Sequence, residues 1–296
     1  MHKKIAKPFV KWAGGKSNLI EFIEAKLPYK RDDSFSYIEP FVGSGAVLFH
    51  MLNHYPNLKN VVINDINLDL INTYHSIVSS VDEIIETLKL WESQYHQISV
   101  DENNKKSYYY EKRDLFNDRS ESTLNQSALF LFLNRTCFNG LYRVNKSNKF
   151  NVPIGSYKTP GICNEENLRL VSTLLKNVTI LNVDYSELIN YADSSSVFYF
   201  DPPYKPLNKT SNFNSYAKDE FNDNEQVRLK EFCDLLSSKS LPWILSNSDV
   251  KNTEMNDDFF DDLYKKYTID RVSASRNINS VAKKRGKISE LLISNN

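Results

Sequence analysis

The chain has 296 residues, enough for one large domain or a domain carrying an insertion, and its core can remove most of its apolar surface from water. Lys plus Arg and Asp plus Glu both total 37, so overall charge gives no reason to expect a polyanionic partner, and any such argument must rest on local clustering. Three scattered cysteines without a CxxC pair argue against a disulfide scaffold or a structural zinc site, and the absence of a run of about 18 apolar residues argues against a membrane span.

The first clear element is "YIEPFVGSGAVLFHML" (37 to 52), which reads as a short strand, a Gly43-Ser44-Gly45 turn and an apolar helix. About twenty residues later, "NVVINDIN" (60 to 67) reads as a second strand ending in Asp65. Strand, glycine turn, helix and strand form a βαβ unit, which predicts a mostly parallel sheet covered by helices. A glycine turn lets a ligand approach the backbone, and an acid ending the next strand can accept hydrogen bonds from ribose hydroxyls. Leu48 stands where a dinucleotide fingerprint needs its third glycine, so a nucleoside without a pyrophosphate fits better than NAD.

From about 76 to 136 the pattern is helical, including "VDEIIETLKLWESQYHQI" and "TLNQSALFLFLNRTCF". Residues 138 to 160 then carry alternation, an Asn-Gly pair and a Ser-Asn turn, which suggests a β-ribbon or a loop. Strand patterns resume at 177 to 185, 196 to 204, 241 to 249 and 287 to 295. The middle therefore reads as an insertion into an α/β domain, with expected segments 1–75, 76–164 and 165–296.

"SVFYFDPPY" (196 to 204) carries the strongest chemical signal. Two prolines lack N–H donors and fix φ, so they end a strand abruptly and stiffen the turn at the edge where α/β sheets bind ligands. Asp201 and the Pro202 carbonyl then offer two acceptors for a planar amino group, and Tyr204 offers an aromatic face.

Several motifs in one order, "FVKWAGGK", "EPFVGSG", "INDIN", "FNGLYRVN…KFNVPIGSYK", "FDPPYKPL", "LSNSD" and "RGKISELL", make the chain similar to Dam/DpnII-type DNA adenine-N6 methyltransferases nearly end to end. The resemblance implies a Rossmann-like S-adenosylmethionine-dependent sheet with an inserted, mainly helical target-recognition part carrying a β-ribbon. It implies Asp201, Pro202 and Tyr204 as the catalytic motif. It implies cofactor contacts from Trp12, Lys16, Glu39, Gly43, Gly45, Asp65, Asp184, Tyr185 and Asp201, with no metal. Double-stranded DNA is the implied partner, with GATC as the implied site: Phe138 and Asn139 resemble an intercalating pair that fills the gap around the flipped base, Arg143 and Pro153 resemble base-reading residues, and Lys11 and Tyr157 match positions that contact the first guanine. Ser156 departs from relatives that have an arginine there. The resemblance further suggests a monomer on DNA, a cytoplasmic location, and a cognate restriction endonuclease, where one exists, acting separately.

Two rival readings fit the residues less well. A nucleotide-dependent oxidoreductase leaves Asp201 to Tyr204 unexplained, and a non-catalytic DNA-binding protein leaves the intact motif unexplained. A cytosine-C5 enzyme needs a Pro-Cys dipeptide that the chain lacks, and cytosine-N4 enzymes usually have serine in place of Asp201. Six basic residues between Arg271 and Lys287, without an acid, follow an acidic stretch, and with DNA as substrate they suggest phosphate contacts.

Overall fold

The computed structural model describes residues 4–12, 14–16, 18–98, 101–204, 221–275 and 287–296. Ala13 of the "KWAGGK" loop, the "KPL" after Tyr204, and Arg276, Lys283, Lys284 and Arg285 of the basic segment lie outside the described residues.

In chain order, α1 (Ile20–Ala25) precedes β1 (Ser36–Glu39), α2 (Ala46–His54), β2 (Val61–Asn64) and α3 (Leu68–Ser79). Three helices follow, α4 (Val81–Ile98), α5 (Glu102–Asp118) and α6 (Thr123–Thr136), then a 3-10 turn at Phe138–Gly140. Next come α7 (Glu165–Leu175), β3 (Val178–Leu181), a 3-10 segment at Tyr185–Tyr191 and β4 (Ser196–Phe200). The remainder is α8 (Asp223–Ser238), β5 (Trp243–Ser248), α9 (Phe259–Leu263), β6 (Thr268–Ser275) and β7 (Lys287–Ser294).

Among the described residues these strands form one sheet in the order β3-β2-β1-β4-β5-β7-β6. β1 to β5 pair in parallel, whereas β7 runs antiparallel between β5 and β6. The chain leaves β1 for β2 on one side and returns to β4 on the other, which opens a crevice at the carboxyl ends of β1 and β4. β1, β2, β4 and β5 are buried at every position because both sheet faces are covered, and this is why they read as apolar runs without alternation. β6 escaped the sequence reading. It is an edge strand, and "TIDRVSAS" has the charged and alternating character that such strands carry.

The two faces have separate cores. Val197 and Tyr199 point to one cluster, and Phe198 and Phe200 to the other, as the period of two along β4 requires. The first cluster also contains Leu70 and Tyr74 of α3, Ile84 and Leu88 of α4, Tyr109 of α5 and Phe132 of α6. The helices between β2 and β3 thus share a core with the sheet, and residue 75 falls inside α3. The stretch after α6 is tied by two isolated antiparallel bridges, Cys137 with Ile154 and Val144 with Phe150, so the expected ribbon is a loop pinned at two points instead of a continuous ladder.

Candidate active site and DNA-facing loop

A cavity of about 1190 Å3 opens at the carboxyl edge of the sheet, and Trp12, Lys16, Glu39, Gly43, Asp65, Asp184, Tyr185, Asp201, Pro202 and Tyr204 all line it. Gly45 stands just behind this lining as the N-cap of α2.

The glycine turn is required sterically. Gly43 has φ +48° and Gly45 φ +77°, in the left-handed region that side chains disfavour. A Cβ on Gly45 would approach Tyr74 Oη to 2.7 Å and one on Gly43 would approach Trp12 Cδ1 to 3.0 Å. The turn is held by its neighbours: Gly43 N donates to Asp65 Oδ2 at 3.0 Å, and Tyr74 Oη donates to the Gly43 carbonyl at 3.1 Å. Asn67 N donates to Asp65 Oδ1 at 2.9 Å, while its own side chain caps α3. Burial outweighs these backbone bonds and pushes the Asp65 carboxyl up to about 6. Glu39, buried at the end of β1, accepts from Tyr37 Oη at 2.8 Å, and burial holds its carboxyl well above the ordinary range.

Just past the end of β4, Asp201 Oδ1 takes two polar contacts. Lys16 Nζ is 2.8 Å away and Ser246 Oγ of β5 donates at 3.2 Å. Ser246 Oγ is in turn 2.9 Å from Tyr199 Oη, two residues before the acid on the same face of the strand. Burial raises the Asp201 carboxyl above its usual value although Lys16 pulls it down. Pro202 is buried, and the Pro203 carbonyl accepts from Gln226 Nε2 of α8, which is itself held by Asn247 of β5. Tyr204 Oη donates to Glu290 Oε2 of β7 at 2.9 Å, and Lys16 Nζ lies 4.5 Å from the centre of its ring. Lys16, expected to close over a cofactor, is therefore also engaged with the acid and with the Gly14 carbonyl at 2.7 Å.

Two other expected contacts are already occupied. Asp184 Oδ1 caps the 3-10 segment through Ser186 N at 3.0 Å and also takes the Arg228 guanidinium. Burial pulls the Asp184 carboxyl up, but bonds from Arg228 and Ser186 outweigh it and hold the group below its ordinary value. Tyr185 is buried among Phe41, Phe221 and Phe232 with Arg228 across its ring, which is largely the packing role that an aromatic residue at this position serves by default.

Several expected DNA-facing residues meet although they are far apart in sequence. Lys11 Nζ is 3.1 Å from Tyr157 Oη and 4.3 Å from its ring centre. The buried Asn134 of α6 accepts from Lys11 N and donates to the carbonyls of Lys11 and Gly140, so the segment carrying Lys11 is fastened to the loop. A Cβ on Gly140 would strike Lys11 Cδ at 2.4 Å. Phe138 is 47% exposed for a large apolar ring, Asn139 is exposed with φ +55°, and Phe138 N donates to the exposed Pro153's carbonyl at 2.9 Å. Arg143 lies in the same loop but binds Asn151 Oδ1 through Nε at 2.7 Å, and Ser156 is exposed. Trp12 joins this region to the cavity: its indole stacks on Tyr142 at 5.6 Å, and Tyr142 Oη donates to Asp69 at 2.7 Å beside Arg119.

Arg271 corrects one expectation. Its guanidinium is bound to Asp249 and Asp261 within the fold, at 3.0 and 2.7 Å, so it balances the acidic stretch before it.

With this geometry in hand, the kinship is decided by a match to D12 class N6 adenine-specific DNA methyltransferases over residues 12–278. The chain belongs to that family. A type II methyltransferase, M.MjaIII of Methanocaldococcus jannaschii, is 48% identical over 98% of the chain and 99% of its own length. DNA adenine methylases of Haemophilus influenzae (37% identical, 97% and 92% covered) and Escherichia coli (33%, 96% and 93%) are also similar. The sheet order, the carboxyl-edge cavity and the family agree on an α/β, Rossmann-like methyltransferase that acts on adenine N6 in DNA with S-adenosylmethionine as methyl donor. The residues present suit that donor: a glycine turn without Cβ atoms lines the cavity and, beside it, just past β2, stands the carboxylate of Asp65, an acceptor group of the kind hydroxyls bind. Among the described residues no helix is long and apolar enough to cross a membrane.

Sequence reasoning did not single out Tyr199, Ser246, Gln226, Arg228 or Glu290. Ser246 and Asn247 lie in the quoted "LSNSD", and Tyr199 stands at the strand period from Asp201, so those signals were present; nothing local pointed to Glu290.

Proposed function

We propose that the chain methylates N6 of adenine within GATC in double-stranded DNA, after the target base has rotated out of the helix. The observation that carries this reading is the setting of Asp201: it lines the cavity beside Pro202 and Tyr204 at the carboxyl edge of the sheet, with Oδ1 held by Lys16 and Ser246.

When bound, S-adenosylmethionine supplies an electrophilic methyl group. The Gly43 to Gly45 turn and Glu39 would border its methionine part, Trp12 and Lys16 would close over it, Asp65 would hold the ribose, and Asp184 with Tyr185 would flank its adenine. Adenine N6 is a weak nucleophile because its lone pair is delocalised into the ring. Asp201 and the Pro202 carbonyl accept its two hydrogens and favour the pyramidal nitrogen of the transition state. The nitrogen gains a methyl and loses one proton toward the carboxylate or solvent, with no metal or covalent intermediate needed. Extruding the base costs a few kcal/mol, and stacking on Tyr204, worth about 1–3 kcal/mol, offsets part of it.

For the target sequence, the meeting of Lys11 with Tyr157 supports a shared contact to the first guanine. Phe138 and Asn139 fill the gap left by the extruded base, and Pro153 and Arg143 read neighbouring bases once Arg143 exchanges Asn151 for a base edge. The segments 1–75, 76–164 and 165–296 serve as catalytic, recognition and catalytic parts, with the first joint better drawn between α3 and α4. We place the enzyme inside the cell as a monomer on DNA, with any companion endonuclease acting separately. Sequencing methylated DNA from a host lacking adenine methylation that expresses the chain tests the site: marks outside GATC would overturn the specificity and leave the chemistry intact.

A further inference from the structure

β7 brings one carboxylate to the catalytic end of the sheet. Glu290 lies opposite Ser248 of β5 and Val272 of β6, directly before the buried run Leu291 to Ile293. A charged residue in such a place needs a partner, and it has one in Tyr204 Oη at 2.9 Å. The tyrosine follows two prolines, so its backbone is stiff and its remaining freedom lies in the side-chain torsions. At least two contacts restrain those torsions. The hydroxyl is tied to β7 through Glu290, and Lys16 Nζ sits 4.5 Å from the ring centre while bonding Asp201 Oδ1 at 2.8 Å.

We infer that Glu290 is a positioning residue for methyl transfer: by holding the Tyr204 hydroxyl it fixes the ring plane on which the extruded adenine settles, and so sets N6 against Asp201. The inference rests on the reading of Tyr204 as the residue that stacks on the base. Its physical basis is that a misplacement of about 1 Å at the reacting atoms costs on the order of a hundredfold in rate, so a ring pinned at its far end is worth more than a ring present but loose. With its hydroxyl spent on Glu290, Tyr204 presents the base with its ring, and reading of the base edge falls to Asp201 and Pro202.

The test compares Glu290→Ala, Glu290→Gln, Tyr204→Phe, the double variant Tyr204→Phe/Glu290→Ala, and Tyr204→Ala. Single-turnover rates are measured on a GATC duplex, with cofactor dissociation constants and the fluorescence of 2-aminopurine at the target position in parallel. Glu290→Ala and Tyr204→Phe are each expected to slow transfer roughly tenfold, the scale of a lost hydrogen bond to a charged group, with cofactor affinity unchanged. Glu290→Gln, which keeps an acceptor oxygen, retains most of the rate, and the double variant is no slower than either single. Multiplicative losses in the double variant, or a wild-type rate for Glu290→Ala or Tyr204→Phe, would overturn the inference. If Glu290→Ala fails to fold, the near-isosteric Glu290→Gln and Tyr204→Phe carry the comparison. Tyr204→Ala separates the two levels of the argument: a full rate in that variant removes the stacking reading itself, whereas a slow Tyr204→Ala beside a normal Glu290→Ala removes only the role of Glu290.

Discussion

Lys16 Nζ, buried at the bottom of the cavity, stands 2.8 Å from Asp201 Oδ1 and joins the first loop of the chain to the acid that ends β4. The pair sets how readily Asp201 ionises. Burial pushes its carboxyl up and Lys16 pulls it part of the way back. Lys16→Met should therefore raise the Asp201 pKa further. In the proposed mechanism the ionised acid is the stronger acceptor for the N6 hydrogens, so the acid side of the single-turnover pH profile should move to higher pH. Asp201→Ala should lower transfer by about a hundredfold or more while sparing most cofactor binding. An unmoved acid limb in Lys16→Met would show that another group titrates.

Asp65 gives a second pH dependence, of opposite sign for binding and for folding. Its carboxyl is raised to about 6 by burial, and ribose hydroxyls favour the ionised form, so cofactor affinity should weaken as pH falls through about 6. Folding runs the other way. A raised carboxyl binds its proton more tightly in the folded protein, so the free enzyme gains stability as pH drops from about 6 toward the ordinary carboxylate value and loses that contribution as pH rises again. Calorimetric titration with cofactor between pH 5 and 8, an interval of about three units around that value, checks the first; urea denaturation checks the second. Asp65→Asn should flatten both.

Gly45→Ala combines a left-handed backbone with a Cβ 2.7 Å from Tyr74 Oη. We expect a loss of about 1–3 kcal/mol of stability, since Tyr74 must give up its bond to the Gly43 carbonyl or the turn must shift. Cofactor affinity should fall more than melting alone explains. A variant that melts like the wild type and binds normally would contradict the steric account of the turn.

At the DNA-facing loop, Lys11→Ala and Tyr157→Phe act on one contact, Nζ to Oη at 3.1 Å. Loss of Lys11 should relax discrimination at the first base pair by about 1–3 kcal/mol in kcat/KM ratios. Phe138→Ala should leave that discrimination in place and instead weaken the fluorescence change of 2-aminopurine at the target. Equal losses on all substrates from Lys11→Ala would mark it as a phosphate contact.

Local chemistry made much of this legible. The strand ending in Asp201, the glycine turn and Asp65 each declare themselves within a dozen residues, because a buried parallel strand, a tight turn and a strand-end acid have short signatures. α4 matches its periodic stretch from Val81 to Ile98. What stayed hidden depends on distant partners. Tyr204 and Glu290 are 86 positions apart, and a lone glutamate in "ISELL" looks like an ordinary solvated residue. Arg271 looked like part of a basic surface because charge clustering says nothing of the acids brought to it by folding, Asp249 and Asp261. β6 was overlooked because an edge strand is not obliged to be apolar.

The common core of α3, α4, α6 and the sheet bears on how such enzymes can exchange target sequences. Leu70 and Tyr74 of α3 share one buried cluster with Ile84 of α4 and Phe132 of α6, so a helical segment transplanted from a relative meets a tailored apolar surface and not a neutral hinge. A graft cut at the edges of the helical region would leave mismatched volumes, at about 1–3 kcal/mol for each poorly fitted core side chain. The loop from Phe138 to Tyr157 has no such constraint along its exposed residues, so, with its proposed role in base contact, new specificities should arise there by point substitution more easily than by wholesale replacement.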